Sequence, residues 1–190
     1  SNIKVYLNKL LVANQNNDMY FINISNGEIL KKIPTEETKI NNKFVNNLSI
    51  KDDIAFFLNT YGSLYALDNN TMNIIWFMNL NQSLDLNPGN LFFSNQVINY
   101  KNKTIVSSNK YLHILNSSNG STIFKKNFTS LVKPLIVEDY LFLISKNFLL
   151  ISLDLNSGKI LYSYDINKKL AKFLNTKKKQ IAVKNIMMVN

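Results

Sequence analysis

Short apolar stretches, rich in β-branched and aromatic residues and often alternating with polar ones, recur along the whole chain. Each is bounded by Asn, Asp, Gly or Ser, the residues that favour turns. The pattern predicts strands in four groups of four. The first group is Ile3–Leu7, Lys9–Ala13, Met19–Ile24 and Glu28–Ile33, and the second is Val45–Ile50, Ile54–Asn59, Ser63–Asp68 and Ile74–Leu80. The third is Gln96–Tyr100, Thr104–Ser108, Tyr111–Asn116 and Thr122–Phe128; the fourth is Pro134–Val137, Tyr140–Ser145, Phe148–Asp154 and Ile160–Ile166. No stretch carries a convincing amphipathic-helix period; Asn167–Thr176 comes nearest and is short. The chain reads as all-β.

The third and fourth strands of every group are joined by one kind of turn. Its leading residues are Asn23, Asp68, Asn116 and Asp154, which lie 45, 48 and 38 positions apart. A period of roughly 40–45 residues built from short strands is the sequence signature of a β-propeller blade. An Asn or Asp side chain can accept backbone N–H groups two residues on and so hold a tight turn. Four positions later stand Gly27, Gly120 and Gly158, which can take positive φ without a Cβ penalty. In the second copy Met72 occupies that place, so Asn73 or a shifted turn is expected to take the left-handed conformation. All these residues read as hairpin chemistry, not as a calcium loop, because the alternating acids and terminal Glu of an EF-hand are missing. Each fourth strand also carries a large residue at a matching place, Leu30, Trp76, Phe124 and Tyr162, expected to pack one blade against the next.

The segments Leu64-Tyr65-Ala66-Leu67-Asp68, followed by Trp76, and Ile151-Ser152-Leu153-Asp154-Leu155-Asn156-Ser157-Gly158-Lys159-Ile160-Leu161-Tyr162 resemble PQQ-like repeats. The resemblance covers essentially the whole chain, as degenerate copies with blades at about 1–42, 43–91, 92–131 and 132–182. Residues 183–190 resemble the first strand of a further blade, so a fragment of a larger ring is expected, or two copies pairing to complete one. In general appearance the chain is similar to the BamB-type outer-membrane assembly factors. That resemblance implies a non-enzymatic periplasmic scaffold for other proteins, with membrane attachment only through a lipid anchor outside this chain. Propellers bind through loops at the ring faces, which directs attention to Pro34–Asn42 and Asn81–Asn90.

Composition narrows the chemistry. In 190 residues there is no Cys, which excludes disulfides, thiolate metal sites and Cys nucleophiles. Quinoprotein dehydrogenases share the PQQ-like fold, and by resemblance they hold a quinone over a Trp floor beside calcium. Here the one Trp stands at a packing position, and the acids are scattered, with Glu36-Glu37 and Asp52-Asp53 reading as turn residues. His113 is the sole histidine and lies in a strand, so neither a zinc cluster nor a Ser-His-Asp choice arises. With five Gly there is no phosphate-binding glycine motif. No catalytic residue, cofactor or metal is expected, and a quinoprotein-like enzyme or ligand-binding domain is the rival reading. The net charge is +10 and comes entirely from Lys, as an AT-rich coding bias would give. Without the bidentate forks of Arg, the clusters at Lys31-Lys32, Lys125-Lys126, Lys168-Lys169 and Lys177-Lys178-Lys179 read as solvated faces and not as a specific nucleic-acid site. No signal peptide is visible, and a chain opening Ser1-Asn2 leaves targeting unread.

Overall fold

A computed structural model describes residues 2–14, 16–35, 46–81, 96–108 and 110–175. Sixteen strands form four antiparallel four-stranded sheets, each in simple sequence order. The first sheet is β1 (Asn2–Tyr6), β2 (Lys9–Ala13), β3 (Met19–Asn23) and β4 (Ile29–Ile33); the second is β5 (Asn47–Lys51), β6 (Ile54–Leu58), β7 (Ser63–Asp68) and β8 (Asn73–Asn79). The third is β9 (Ile98–Tyr100), β10 (Lys103–Ser107), β11 (Leu112–Asn116) and β12 (Thr122–Lys126). The fourth is β13 (Leu135–Val137), β14 (Tyr140–Ile144), β15 (Leu149–Asp154) and β16 (Ile160–Asp165), and the helix α1 (Ile166–Phe173) follows it. These are the blades of a β-propeller, and the all-β expectation holds apart from that helix.

The chain forms two compact units, Ser1–Asn109 with His113–Lys125 and Lys110–Leu112 with Lys126–Asn190. The first carries the first two sheets and nearly all of the third. Its core is built because β6 and β7 are apolar on both sides, so alternate residues point to opposite faces. Ala55, Phe57, Tyr65 and Leu67 join Leu11, Met19, Phe21 and Ile33 of the first sheet in one buried cluster. Phe56, Leu58, Leu64 and Ala66 join Val106 and Leu115 of the third sheet in another. The second sheet is therefore buried on both faces, and the outer strand β8 is exposed along most of its length.

In each sheet both hairpins at one end share a single device. The first hairpin turns through a non-Gly residue of positive φ: Leu7 (50°), Asp52 (51°), Lys101 (49°) and Glu138 (53°). The next residue, Asn8, Asp53, Asn102 or Asp139, offers its carbonyl to the turn between the third and fourth strands. Ile24, Asn69, Ser117 and Leu155 donate their N–H groups to it at 2.8–3.0 Å. Local turn rules do not predict this cross-tie. Its trace is an Asn or Asp placed second in every first turn.

The sequence pattern predicts a helix no nearer than Asn167–Thr176, with the preceding strand running through Ile166. The strand instead ends at Asp165, whose side chain caps α1 by accepting the Lys168 N–H at 2.9 Å. Ile166, Leu170 and Phe173, at i, i+4 and i+7, give it one apolar stripe. The predicted fifth first strand at 183–190, Lys177–Lys179, Glu36-Glu37 and nearly all of the loops Pro34–Asn42 and Asn81–Asn90 lie outside the described residues.

Candidate functional site

The leading turn residues sit at the ends of their third strands. Asn23 Oδ1 accepts the Ser25 N–H at 2.8 Å, and Asn116 Oδ1 accepts that of Ser118 at 2.8 Å. Asp68 Oδ1 accepts from Asn70 at 2.7 Å and Thr71 at 2.9 Å. Asp154 accepts the Asn156 N–H at 2.8 Å and the Ser157 hydroxyl at 2.7 Å. These donors stabilise the ionised carboxylates: the Thr71 N–H holds Asp68 below the usual range, and the Ser157 hydroxyl does the same for Asp154. Gly27, Gly120 and Gly158 take φ of 74°, 73° and 69°. Met72 corrects the expectation for the second copy. It takes φ 57° itself, donating its N–H to Asp68 O at 2.7 Å, and Asn73 simply opens β8. The left-handed cost, about 1 kcal/mol, is offset because the Met72 side chain packs on the buried cluster of the first two sheets.

The four large residues of the fourth strands do not share one environment. Trp76 is half-buried; its Nε1 donates to Ser117 O at 3.0 Å, and its ring lies 6.1 Å from that of Phe56. A Cβ added at Gly120 would meet the indole at 2.7–2.8 Å, so the glycine backbone lies against the ring. Trp76 thus fastens the second sheet to the third. Phe124 is half-buried, whereas Leu30 and Tyr162 are exposed, and the Tyr162 ring lies 5.0 Å from that of Tyr164, tilted by 37°.

Most charged groups with described contacts are similarly taken up. The Tyr6 hydroxyl donates to Asp53, and this hydrogen bond raises the Tyr6 pKa; Lys9 Nζ donates to Asn69 O at 2.8 Å. Lys32 pairs with Asp18 at 3.0 Å, and Lys31 donates to Asn73 Oδ1 at 2.6 Å. The Asn14 amide, at 2.9 Å, and Lys32 hold the Asp18 carboxyl below its ordinary range. His113 is buried, and burial together with Lys125 lowers its pKa to about 4, so it stays neutral. Among the described residues no three His, Asp or Glu side chains converge as a metal site would need. Nor is any described helix long and apolar enough to cross a membrane. The Asn69 side-chain amide is stranded: it is fully buried, and neither its oxygen nor its nitrogen has a hydrogen-bond partner. The same place in the fourth repeat holds Leu155, also fully buried. Asn69→Leu is therefore expected to raise stability by about 1 kcal/mol, read as a higher urea midpoint at unchanged slope.

What remains open is a cleft in the second unit. The Ile166 N–H donates to Phe148 O at 3.0 Å, tying the start of α1 to the turn before β15. Ala171 is the buried residue of the helix, which leaves its stripe slanting away from the sheet. Between them lies an apolar cleft of about 390 Å³, lined by Leu150, Tyr164, Ile166, Leu170 and Phe173 with one cation, Lys169. Lys169 Nζ lies 5.3 Å from the centre of the Tyr164 ring, and Phe173 is 85% exposed. No motif in the sequence marks Tyr164 or Phe173, which line this cleft.

Sheets, turns and packing define a β-propeller-type chain. Comparison with known proteins agrees on the fold. No protein-family model and no curated protein sequence matches the chain. Among solved structures, BamB from Moraxella catarrhalis superposes with a TM-score of 0.60 at 11% identity, over 82% of this chain and 49% of that one. The quinohemoprotein alcohol dehydrogenase of Comamonas testosteroni gives 0.68 at 10% identity, over 86% and 34%. The computationally designed Ika4 protein gives 0.60 at 11%, over 80% and 88%. The chain thus spans about half of BamB and a third of the dehydrogenase, and it shares their fold.

Proposed function

We propose that this chain is a non-catalytic scaffold that binds other proteins, in the manner of the BamB-type outer-membrane assembly factors and in the periplasm. The observation that carries the reading is the apolar cleft beside α1. It offers Leu150, Leu170 and Phe173 to a partner's aliphatic or aromatic side chain, and Lys168, Lys169 and Lys172 of the same helix favour acidic flanks. The rival is a quinoprotein-like ligand site, favoured by the superposition on the dehydrogenase. A planar quinone would need a free Trp face. The only Trp in the chain has Gly120 against its ring and its N–H spent on Ser117.

The test is a fluorescence titration with synthetic peptides that carry a central Phe or Leu between glutamates. Saturable binding that weakens with salt and is lost in Leu170→Ser is the expected result. No peptide binding, together with saturable uptake of quinone and calcium, would overturn the scaffold reading in favour of the rival.

A further inference from the structure

Two of the four repeat turns set an Asn immediately before the turn glycine: Asn26-Gly27 in the first sheet and Asn119-Gly120 in the third. An Asn followed by Gly is open to attack on itself, because no Cβ shields the glycine nitrogen from the Asn side-chain carbonyl. In local chemistry the two turns match. Asn26 Oδ1 accepts the Glu28 N–H at 3.0 Å, and Asn119 Oδ1 accepts that of Ser121 at 2.9 Å, so each side-chain carbonyl is polarised alike. Both glycine N–H groups donate at 2.9 Å, Gly27 to Asn23 O and Gly120 to Asn116 O. The surroundings differ. Residues 24–30 are all exposed, and a Cβ built on Gly27 meets nothing within 4 Å, whereas Gly120 is buried against the Trp76 indole. Attack requires the glycine nitrogen to leave its hydrogen bond and swing onto the preceding side chain. Local opening of the exposed turn permits that swing, but at Gly120 it must also displace the indole.

We propose that Asn26 is a site of spontaneous deamidation, and that Trp76 protects Asn119 from the same reaction. The Gly27 nitrogen gives up its proton to solvent and bonds to Asn26 Cγ. The bond from Cγ to the side-chain nitrogen breaks, and that nitrogen takes up a proton and leaves as ammonia. Water then opens the cyclic imide at either carbonyl, which yields isoaspartate or aspartate with no change of oxidation state. The setting makes the product matter. Asn26 Nδ2 donates to Glu28 Oε2 at 3.3 Å, so an aspartate sets a second carboxylate where that donor was, and like charges this close repel. Isoaspartate instead lengthens the backbone by a methylene inside the tight turn. Either product loosens the hairpin from β3 to β4 and removes one positive unit from the net charge. With the ammonia lost, the amide is not restored.

Mass spectrometry during a long incubation of the full chain in mildly alkaline buffer follows both sites at once. Cleavage after lysine places them in separate peptides, residues 10–31 and 111–125, and fragmentation locates the amide-to-acid mass change within each. In the folded chain, conversion at Asn26 is expected to run about tenfold or more faster than at Asn119. In urea, with the packing gone, the two rates should become alike. Trp76→Ala should speed conversion at Asn119 and leave the rate at Asn26 unchanged. Equal rates in the folded wild-type chain would overturn the proposal. So would an Asn26 that stays intact for as long as the urea-unfolded chain needs to convert. Peptide binding at the α1 cleft concerns the other unit, so this inference and the scaffold reading can fail independently.

Discussion

Gly120→Ala is expected to lower stability by about 2–4 kcal/mol, whereas the same change at Gly27 should cost about 1 kcal/mol. Both glycines occupy the same place in the repeat and take nearly the same φ, 73° and 74°. Both therefore incur the left-handed strain of adding a Cβ. They differ in what that Cβ would meet. At Gly27 there is nothing within 4 Å, but at Gly120 it would lie 2.7 Å from Cε3 and 2.8 Å from Cδ2 of Trp76. The indole cannot swing away freely, because its Nε1 is bonded to Ser117 O and its other contacts lie in the core around Phe56. The extra cost at Gly120 is overpacking between two sheets. Urea unfolding of both variants, compared at equal slope, measures the difference.

His113 should make the fold sensitive to mild acid. Its folded pKa of about 4 lies below the ordinary 6.5, because burial and the Lys125 charge disfavour the imidazolium. Below about pH 6.5 the unfolded chain binds a proton that the folded chain refuses. Stability from this group is therefore complete above that pH, and falls as pH drops toward 4. No further loss comes from it below 4. Discounted for partial solvent screening, the loss is about 2 kcal/mol. His113→Ile, which installs the residue found at that repeat place as Ile151, should flatten this part of the profile. Unfolding midpoints collected between pH 7 and pH 4 for both proteins give the comparison. An unchanged slope in the variant would assign the acid sensitivity elsewhere.

The fold was legible because its code is local and repeated. Ile54–Leu58 and Ser63–Asp68 are nearly unbroken apolar runs, as strands buried on both faces require. The turn residues were equally open to reading, since Asx chemistry and positive φ act within five residues. Four things were not legible. Met72 takes the place of glycine because a tertiary contact offsets a local strain, and no local rule contains that contact. The tie from Asn8, Asp53, Asn102 and Asp139 to the neighbouring turn runs through backbone carbonyls, which any residue could supply. The α1 cleft depends on where a short helix rests against β15 and β16, and its stripe of Ile166, Leu170 and Phe173 is too brief to stand out from the flanking strands. Equal rank in the repeat likewise hid unequal burial: Trp76 is locked between sheets, and Tyr162 is exposed.

Trp76 and Gly120 lock the second sheet against the third as one packed pair. A double-mutant cycle on Trp76 and Gly120 tests it most directly. With Trp76 replaced by Ala, the obstacle to a Cβ at position 120 is gone. Gly120→Ala should then cost only the left-handed strain, about 1 kcal/mol, which gives a coupling of about 1–3 kcal/mol. Additive costs, equal within about 0.5 kcal/mol, would contradict the claim and show that the two residues are stabilised independently.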